Sequence, residues 1–400
     1  MNIDFYRTFH PVGHGAFYTE DFHPTYSGTS FRVVYDCGSN TLSRHDLENL
    51  INGHYSSNPD IDLLFISHFD KDHINGVKYL NPKRVVIPFL TQEELNLYLE
   101  FDETYEYARN YKDLVDHCEN NKIQIIYVFR EDHQLERMID RPHDIQDNLT
   151  IDMEGDYNNR NTQRIYLRSG SNVSICMGSK ILWKYQVHNP NINKYYDKFW
   201  ELVKRLGNSQ ISIPIAPYNG YIGQNYAQNH LKDLKTIYSE LGNKNLHSLV
   251  VYSNKGNGIS QIKIVEIVKY KSSDEDKESP IDQECNDSLL LLPKLGCFYF
   301  GDAQLLRRWL EPIYDNLKLE RLEILMVQVP HHGSKNNNGH YIFGKKNNLP
   351  LRYCIISAKD KDPKHPSPIL LNRPEFSGKC VRVVTEDPRS GFKICATLTF

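Results

Sequence analysis

The densest chemistry in the chain lies in His68-Phe69-Asp70-Lys71-Asp72-His73, where two histidines and two aspartates stand within six residues, between Ser67 and Ile74-Asn75-Gly76. Imidazole and carboxylate donors together suit zinc or another first-row divalent ion. Packed this closely without a cation, the four groups would repel and desolvate one another at high cost. Lys71, in the middle of the run, reads as a solvent-facing side chain. The bland alternative is a chance polar cluster on a surface loop, and it weakens as later segments are read.

The run needs an element to hold it. Residues 61–66 (Ile-Asp-Leu-Leu-Phe-Ile) are an apolar stretch that reads as a buried strand, so the cluster sits on the loop at its exit. Upstream, residues 31–35 read as a strand and Asp36-Cys37-Gly38-Ser39 as the loop after it. Ser43 then caps a helix through residues 46–51, which makes the order strand, helix, strand. Downstream the pattern predicts a strand at 85–88, a polar helical stretch over about 92–120, and strands at 123–128, 162–167 and 181–187.

Three more apolar strands end in residues of the same chemical type. Residues 297–300 run into Gly301-Asp302-Ala303 ahead of a helix at 305–316. Taken alone, Asp302 is as readily a helix N-cap. Residues 324–329 run into Pro330-His331-His332-Gly333-Ser334-Lys335, and two adjacent histidines on a strand exit are poor packing residues. Residues 353–357 lead towards Pro363-Lys364-His365-Pro366, in which His365 alone is an ordinary surface histidine.

Composition sets the limits. With 400 residues, 40% of them hydrophobic, the chain can bury a large core and exceeds one typical domain. A net charge of -3 carries no global basic footprint, so charge does not imply nucleic acid. The N-terminus lacks a basic region followed by an apolar one, and no stretch approaches the ~18 apolar residues of a membrane span, so a soluble, cytoplasmic protein is expected. The 8 cysteines include no Cys-x-x-Cys pair, and neither a disulfide framework nor a cysteine zinc site is expected. Between about 190 and 282 the pattern changes to amphipathic helices at 195–206 and 231–241 and a charged segment at 271–279. We read one domain over 1–400 with insertions at about 92–160 and 190–282.

Taken together, these motifs resemble a metallo-β-lactamase-fold hydrolase, and within that fold the soluble hydrolase domain of bacterial DNA-uptake (competence) channel proteins and their free-standing relatives. The resemblance rests on Val12-Gly13-His14-Gly15-Ala16, Asp36-Cys37-Gly38, Ser67 to Gly76, Gly301-Asp302-Ala303, Pro330-His331-His332-Gly333-Ser334 and His365-Pro366, all in order. It does not cover the region from about 95 to 280.

The resemblance implies an α+β fold, the αββα sandwich, elaborated by inserted helical and loop segments. It also implies two divalent metal ions, zinc or manganese: His68 and Asp70 on one, Asp72, His73 and His365 on the other, and Asp302 bridging. His331 and His332 would lie over the reacting group, while Ser334 and Lys335 would contact substrate phosphate. For the third-ligand position Asn286 is the better match and His247 the runner-up, the first favouring a harder ion such as manganese and the second zinc.

Aspartate at position 70, together with His-His-Gly-Ser, resembles phosphodiester-cleaving branches of the fold, so nuclease or phosphodiesterase activity on nucleic acid or another phosphodiester is expected. One alternative is hydrolysis of a small ester, lactone or nucleotide signal. Another is a regulatory or scaffold role in a multi-protein system, with Tyr195, Tyr196, Tyr218, Tyr221 and Tyr226 as a partner surface. The fold alone does not choose among them.

Overall fold

A computed structural model describes residues 1–26, 30–90, 95, 106–130, 144–154, 164–190, 248–269, 295–303, 310–311, 313–314, 324–335 and 351–400. The N-terminal sheet opens with β1 (Asn2–Phe9), β2 (Gly15–Pro24) and β3 (Phe31–Ser39), antiparallel neighbours in that order. Ser43 caps α1 (Arg44–His54), its hydroxyl accepting from the Asp46 amide at 3.2 Å, as the Ser-x-x-Asp spacing predicts. A short pair, β4 (Asp60–Ile61) with β6 (Asn81–Pro82), flanks β5 (Leu63–Phe65) and the one-turn helix α2 (Lys71–Ile74). Then come β7 (Arg84–Pro88), α3 (Glu106–Asn120) and β8 (Gln124–Phe129), with β3, β5, β7 and β8 mutually parallel.

The long β10 (Arg164–Met177) carries the chain to a second set of strands. Its first residues pair with β8, its last with β11 (Lys180–His188), and β9 (Ile145–Asp152) runs beside it. From β11 the order continues through β12 (Val250–Lys255), β14 (Gly296–Tyr299), β15 (Ile324–Gln328), β16 (Tyr353–Ser357) and β17 (Cys380–Val384), with β14 to β17 parallel. The short helix α4 (Pro368–Leu371) lies between β16 and β17. β13 (Gln261–Lys269) and β18 (Phe392–Thr399) return to extend the N-terminal sheet beside β1.

The period-2 alternation of side chains explains why the central strands are apolar throughout. In β5, Leu63 and Phe65 face one core while Leu64 faces another. In β16, Tyr353 and Ile355 face the first core, and Cys354 and Ile356 face a third. The shared core, with Phe5, Tyr18, Phe65, Trp183, Tyr185 and Tyr299, lies between the two sets of strands. Leu47, Ile51, Tyr107 and Leu114 from α1 and α3 cover one outer face, and Leu310, Ile313, Tyr314 and Leu370 cover the other. Covering both faces of a parallel sheet demands such continuous apolar runs. The layer order is helix, sheet, sheet, helix, as the resemblance implies.

Some expectations change. Within the stretches read as insertions, α3 packs on the first sheet and β8, β9, β12 and β13 are members of the sheets. The helices expected at 195–206 and 231–241, the charged segment, the five insertion tyrosines, Asn286 and His247 lie outside the described residues. Asp36-Cys37-Gly38, expected as a loop, continues β3. Among the described residues six cysteines are free thiols, whereas Cys380 is disulfide-bonded. No helix among the described residues is long and apolar enough to cross a membrane.

Candidate metal centre

The ligand-type residues meet because parallel strands deliver their carboxyl ends to one edge of the sandwich, where open α/β sheets generally place their sites. β5 exits into the Ser67–Asp70 loop and α2, β14 into Gly301-Asp302, and β15 into His331-His332. Two hydrogen bonds close the edge between the sheets: Leu249 N–H donates to Ser67 O at 2.7 Å, and Tyr35 O–H donates to Leu249 O at 2.7 Å. Two glycines permit the close approach. A Cβ on Gly38 would stand 2.6 Å from the Asp72 carbonyl, and one on Gly301 (φ +54) would stand 2.6 Å from the Ser67 side chain.

Asp302 is the hub. His73 Nε2 lies 3.3 Å and His332 Nε2 3.9 Å from its Oδ1, while His68 Nε2 lies 4.0 Å and His331 Nδ1 3.8 Å from its Oδ2. His68 Nε2 is also 3.7 Å from Asp70, and His332 Nε2 is 3.3 Å from Asp72. His68, Asp72, His73, Asp302 and His332 are all buried.

Each inner histidine is held from behind by its other nitrogen. His68 Nδ1 meets Ser67 Oγ at 2.8 Å, His73 Nδ1 meets Asp36 Oδ2 at 2.8 Å, and His332 Nδ1 donates to Ser357 O at 2.8 Å. The Ser67 hydroxyl is itself committed as donor to Asp36 Oδ2, so its oxygen is left to accept from His68. In the neutral rings the proton therefore sits on Nδ1 and the Nε2 lone pair points inward. The Nε2 atoms of His68, His73 and His332 are buried and make no hydrogen bond. Buried ring nitrogens that face carboxylates without a well-formed hydrogen bond to them fit a divalent cation well.

The electrostatics agree. Burial pushes the His68 pKa down to about 4, helped by His73, which keeps that ring neutral and ready to ligate. Burial opposes charge on His73, yet Asp302 and Asp36 outweigh it and hold its pKa well above the ordinary value. His332 is raised in the same way, against burial, by Asp302 and Asp72. Burial works against ionisation of Asp72 and Asp302, but the imidazoles prevail: His332 and His73 depress Asp72, and His73, His331 and His332 depress Asp302.

The ligand atoms divide into groups that sequence reasoning distributed differently. Those of His68, His73 and Asp302 lie within 4.8 Å of one another, as do those of His14, Asp72 and His332. His332, expected above the reacting group, occupies the position by Asp72 that was expected of His365. The reason is a backbone turn: His331, His332 and Gly333 all have positive φ (49°, 52° and 73°), which swings the His332 ring down onto α2. His365 stands further out, 3.4 Å from Asp362. His331 remains partly exposed at the mouth. Ser334 is buried beneath the turn, its N–H donating to His331 O, and Lys335 is exposed.

Asp36, His14, Ser357 and Asp362 were not singled out from sequence. Asp36 had a signal in the Asp-x-Gly motif; Ser357 and Asp362 had none. Asp36 also takes positive φ (53°), which aims its carboxylate at the Ser67 amide (2.7 Å) and at His73. Such partners orient ligands, and their loss costs about 10–100-fold in metal affinity. Asp36→Ala is therefore expected to weaken metal retention by about that factor, measured by competition with a chromogenic chelator.

Residues 26–149 match the metallo-beta-lactamase superfamily. The matched stretch runs from β3 into β9 and includes the His68 to His73 run; Asp302 and His332 come from outside it. No curated protein and no solved structure matched the chain. The four-layer architecture and the match agree on the α+β sandwich of the metallo-β-lactamase fold, and with the His/Asp groups they support a metal-dependent hydrolase.

Proposed function

We propose that the protein is a two-metal hydrolase that cleaves phosphodiester bonds. The observation that carries this reading is the convergence of three buried imidazole Nε2 atoms on Asp302, each ring oriented through Nδ1. His68, His73 and Asp302, with Asp70 beside them, would hold one ion. Asp72 and His332 would hold the other, with Asp302 in reach of both. Bound there, a pair of zinc or manganese ions would supply Lewis acidity and a hydroxide nucleophile near neutral pH.

The chain's own residues do the rest. Asp36, Ser67 and the Ser357 carbonyl fix the imidazoles so that no reorganisation is needed when charge develops. His331 sits at the mouth with its pKa lowered by burial, hence neutral near pH 7, and can give one N–H to a leaving or developing oxyanion. Aspartate at position 70, with His-His-Gly-Ser, favours phosphodiesters over β-lactams by its likeness to the branches of the fold that cleave them. The test is incubation of metal-loaded protein with labelled single- and double-stranded DNA, RNA and a chromogenic phosphodiester. If all stay intact while a small ester or lactone is hydrolysed, the phosphodiester reading fails and the small-substrate alternative replaces it.

Proton linkage gives a second expected result. His73 and His332 have raised pKa values in the metal-free protein, and ligation needs their unprotonated Nε2. Metal uptake at neutral pH should therefore release protons, and affinity should rise with pH until the raised values are passed and fall on acidification. In the metal-free protein the sign is opposite. The stability gained from protonated His73 and His332 is fully present below about pH 6.5, the ordinary histidine value, and lost as pH rises through the raised ones. An indicator dye during zinc titration reads the protons released.

A further inference from the structure

A second cluster stands outside the buried centre, at its rim. The ligand atoms of His14, Asp362 and His365 lie within 4.8 Å of one another. Both imidazoles turn Nδ1 to the same carboxylate oxygen: His365 Nδ1 is 3.4 Å and His14 Nδ1 3.8 Å from Asp362 Oδ2. The His365 contact is a long hydrogen bond, and both separations exceed the ~2.7–2.9 Å of a charge-assisted one. They come close to the edge of a metal tetrahedron, since bonds of about 2.0–2.2 Å set ligand atoms roughly 3.3–3.6 Å apart.

The three side chains are held for this arrangement. Asp362 Oδ1 accepts from the Lys364 and His365 amides at 2.7 and 3.2 Å, which leaves Oδ2 facing the rings. His14 is fixed through its backbone, donating to Thr41 Oγ1 at 2.9 Å and accepting from Asn40 N–H at 2.7 Å. Its ring packs on His332 with centroids 3.8 Å apart, so the rim cluster abuts the buried centre. All three side chains keep some exposure, at 27%, 16% and 19%.

We infer that His14, Asp362 and His365 form an accessory site for a zinc-class divalent cation. Two imidazoles and one carboxylate are a borderline-soft donor set, and the solvent-facing side leaves a coordination position open. An ion there would meet an anionic substrate, such as a phosphate oxygen, before it reaches His331 and Asp302. His14 is also within reach of the Asp72/His332 group, so the site shares that residue with the buried centre, while Asp362 and His365 belong to the rim alone.

Diffraction from crystals grown with zinc, with anomalous data at the zinc edge, tests this on the unaltered protein. A peak is expected between His14, Asp362 and His365, separate from peaks at His68/His73 and Asp72/His332. A map with zinc at the buried groups and none at the rim overturns the inference. A rim peak without buried peaks upholds it and sinks the two-metal reading instead. In parallel, a variant carrying Asp362→Asn and His365→Gln should hold about one ion per chain less than the unaltered protein by elemental analysis, with an unchanged circular dichroism spectrum. Equal metal content in the folded variant overturns the inference.

Discussion

A double variant, Asp72→Ala with His73→Ala, is expected to lose both ions of the buried centre and with them the hydrolytic activity. The two residues are neighbours on α2, yet their ligand atoms serve different groups, His73 with His68 and Asp302 and Asp72 with His332. Removing both breaks the two groups at once. Metal stabilisation of a transition state is worth several kcal/mol, and each ~1.4 kcal/mol is tenfold in rate, so a fall of about 10³-fold or more in phosphodiester cleavage is expected.

Elemental analysis should show the variant holding more than one ion per chain less than the unaltered protein. Retained metal and cleavage in the double variant would remove Asp72 and His73 from the centre. The variant should still fold, because both side chains lie at the site and neither belongs to the three hydrophobic cores. Circular dichroism checks that point.

The second large effect lies away from the chemistry. Glu20→Ala is expected to destabilise the protein by about 3–5 kcal/mol, because it would strand a charge in the core between the sheets. Arg7 is 0% and Glu20 2% exposed. Glu20 accepts from Arg7 Nε at 2.8 Å, Tyr185 O–H at 2.7 Å, Tyr299 O–H at 2.8 Å and the Ser253 hydroxyl at 2.8 Å. Ser253 in turn accepts from Trp183 Nε1–H at 2.8 Å and from Arg7 Nη2–H at 3.1 Å. One carboxylate thus joins β1, β2, β11, β12 and β14.

With Glu20 gone, the Arg7 guanidinium keeps the Leu295 carbonyl and Ser253 but loses its counter-charge. Urea unfolding of metal-free protein reads the cost without a contribution from metal binding. A loss under ~1 kcal/mol would mean that water or a rearranged side chain replaces the carboxylate. The double replacement Arg7→Met, Glu20→Leu should recover part of the stability by removing the stranded charge, while the Tyr185, Tyr299 and Ser253 hydroxyls still lose their acceptor.

Much of the architecture was legible in the sequence because its cause is local. Residues 61–66, 324–329 and 353–357 are apolar on both alternating faces, and only a strand covered on both sides requires that. The spacing of His68, Asp70, Asp72 and His73 places four donors on one short loop and one helical turn whatever the rest of the chain does. Gly301-Asp302 follows a strand, so Asp302 had to stand at a strand exit. Ser43 and Asp46 announced the start of α1 through three residues of spacing.

The remaining features depend on groups that meet from distant parts of the chain. Which of His332 and His365 lies by Asp72 is set by three consecutive positive φ values after β15, a conformation that apolar periodicity does not encode. The orienting role of Asp36 needs its positive φ and the packing of Gly38 against Asp72. Glu20 meets Ser253 across 233 positions of sequence, a contact that exists only because β10 carries the chain from one sheet to the other. β12 and β13 lay hidden in a stretch read as an insertion, since membership of a sheet is conferred by hydrogen-bonded neighbours far along the chain. Residue type and local periodicity are enough to say which side chains could do chemistry and that strand ends would present them; which of them face one another follows from the packing of the two sheets.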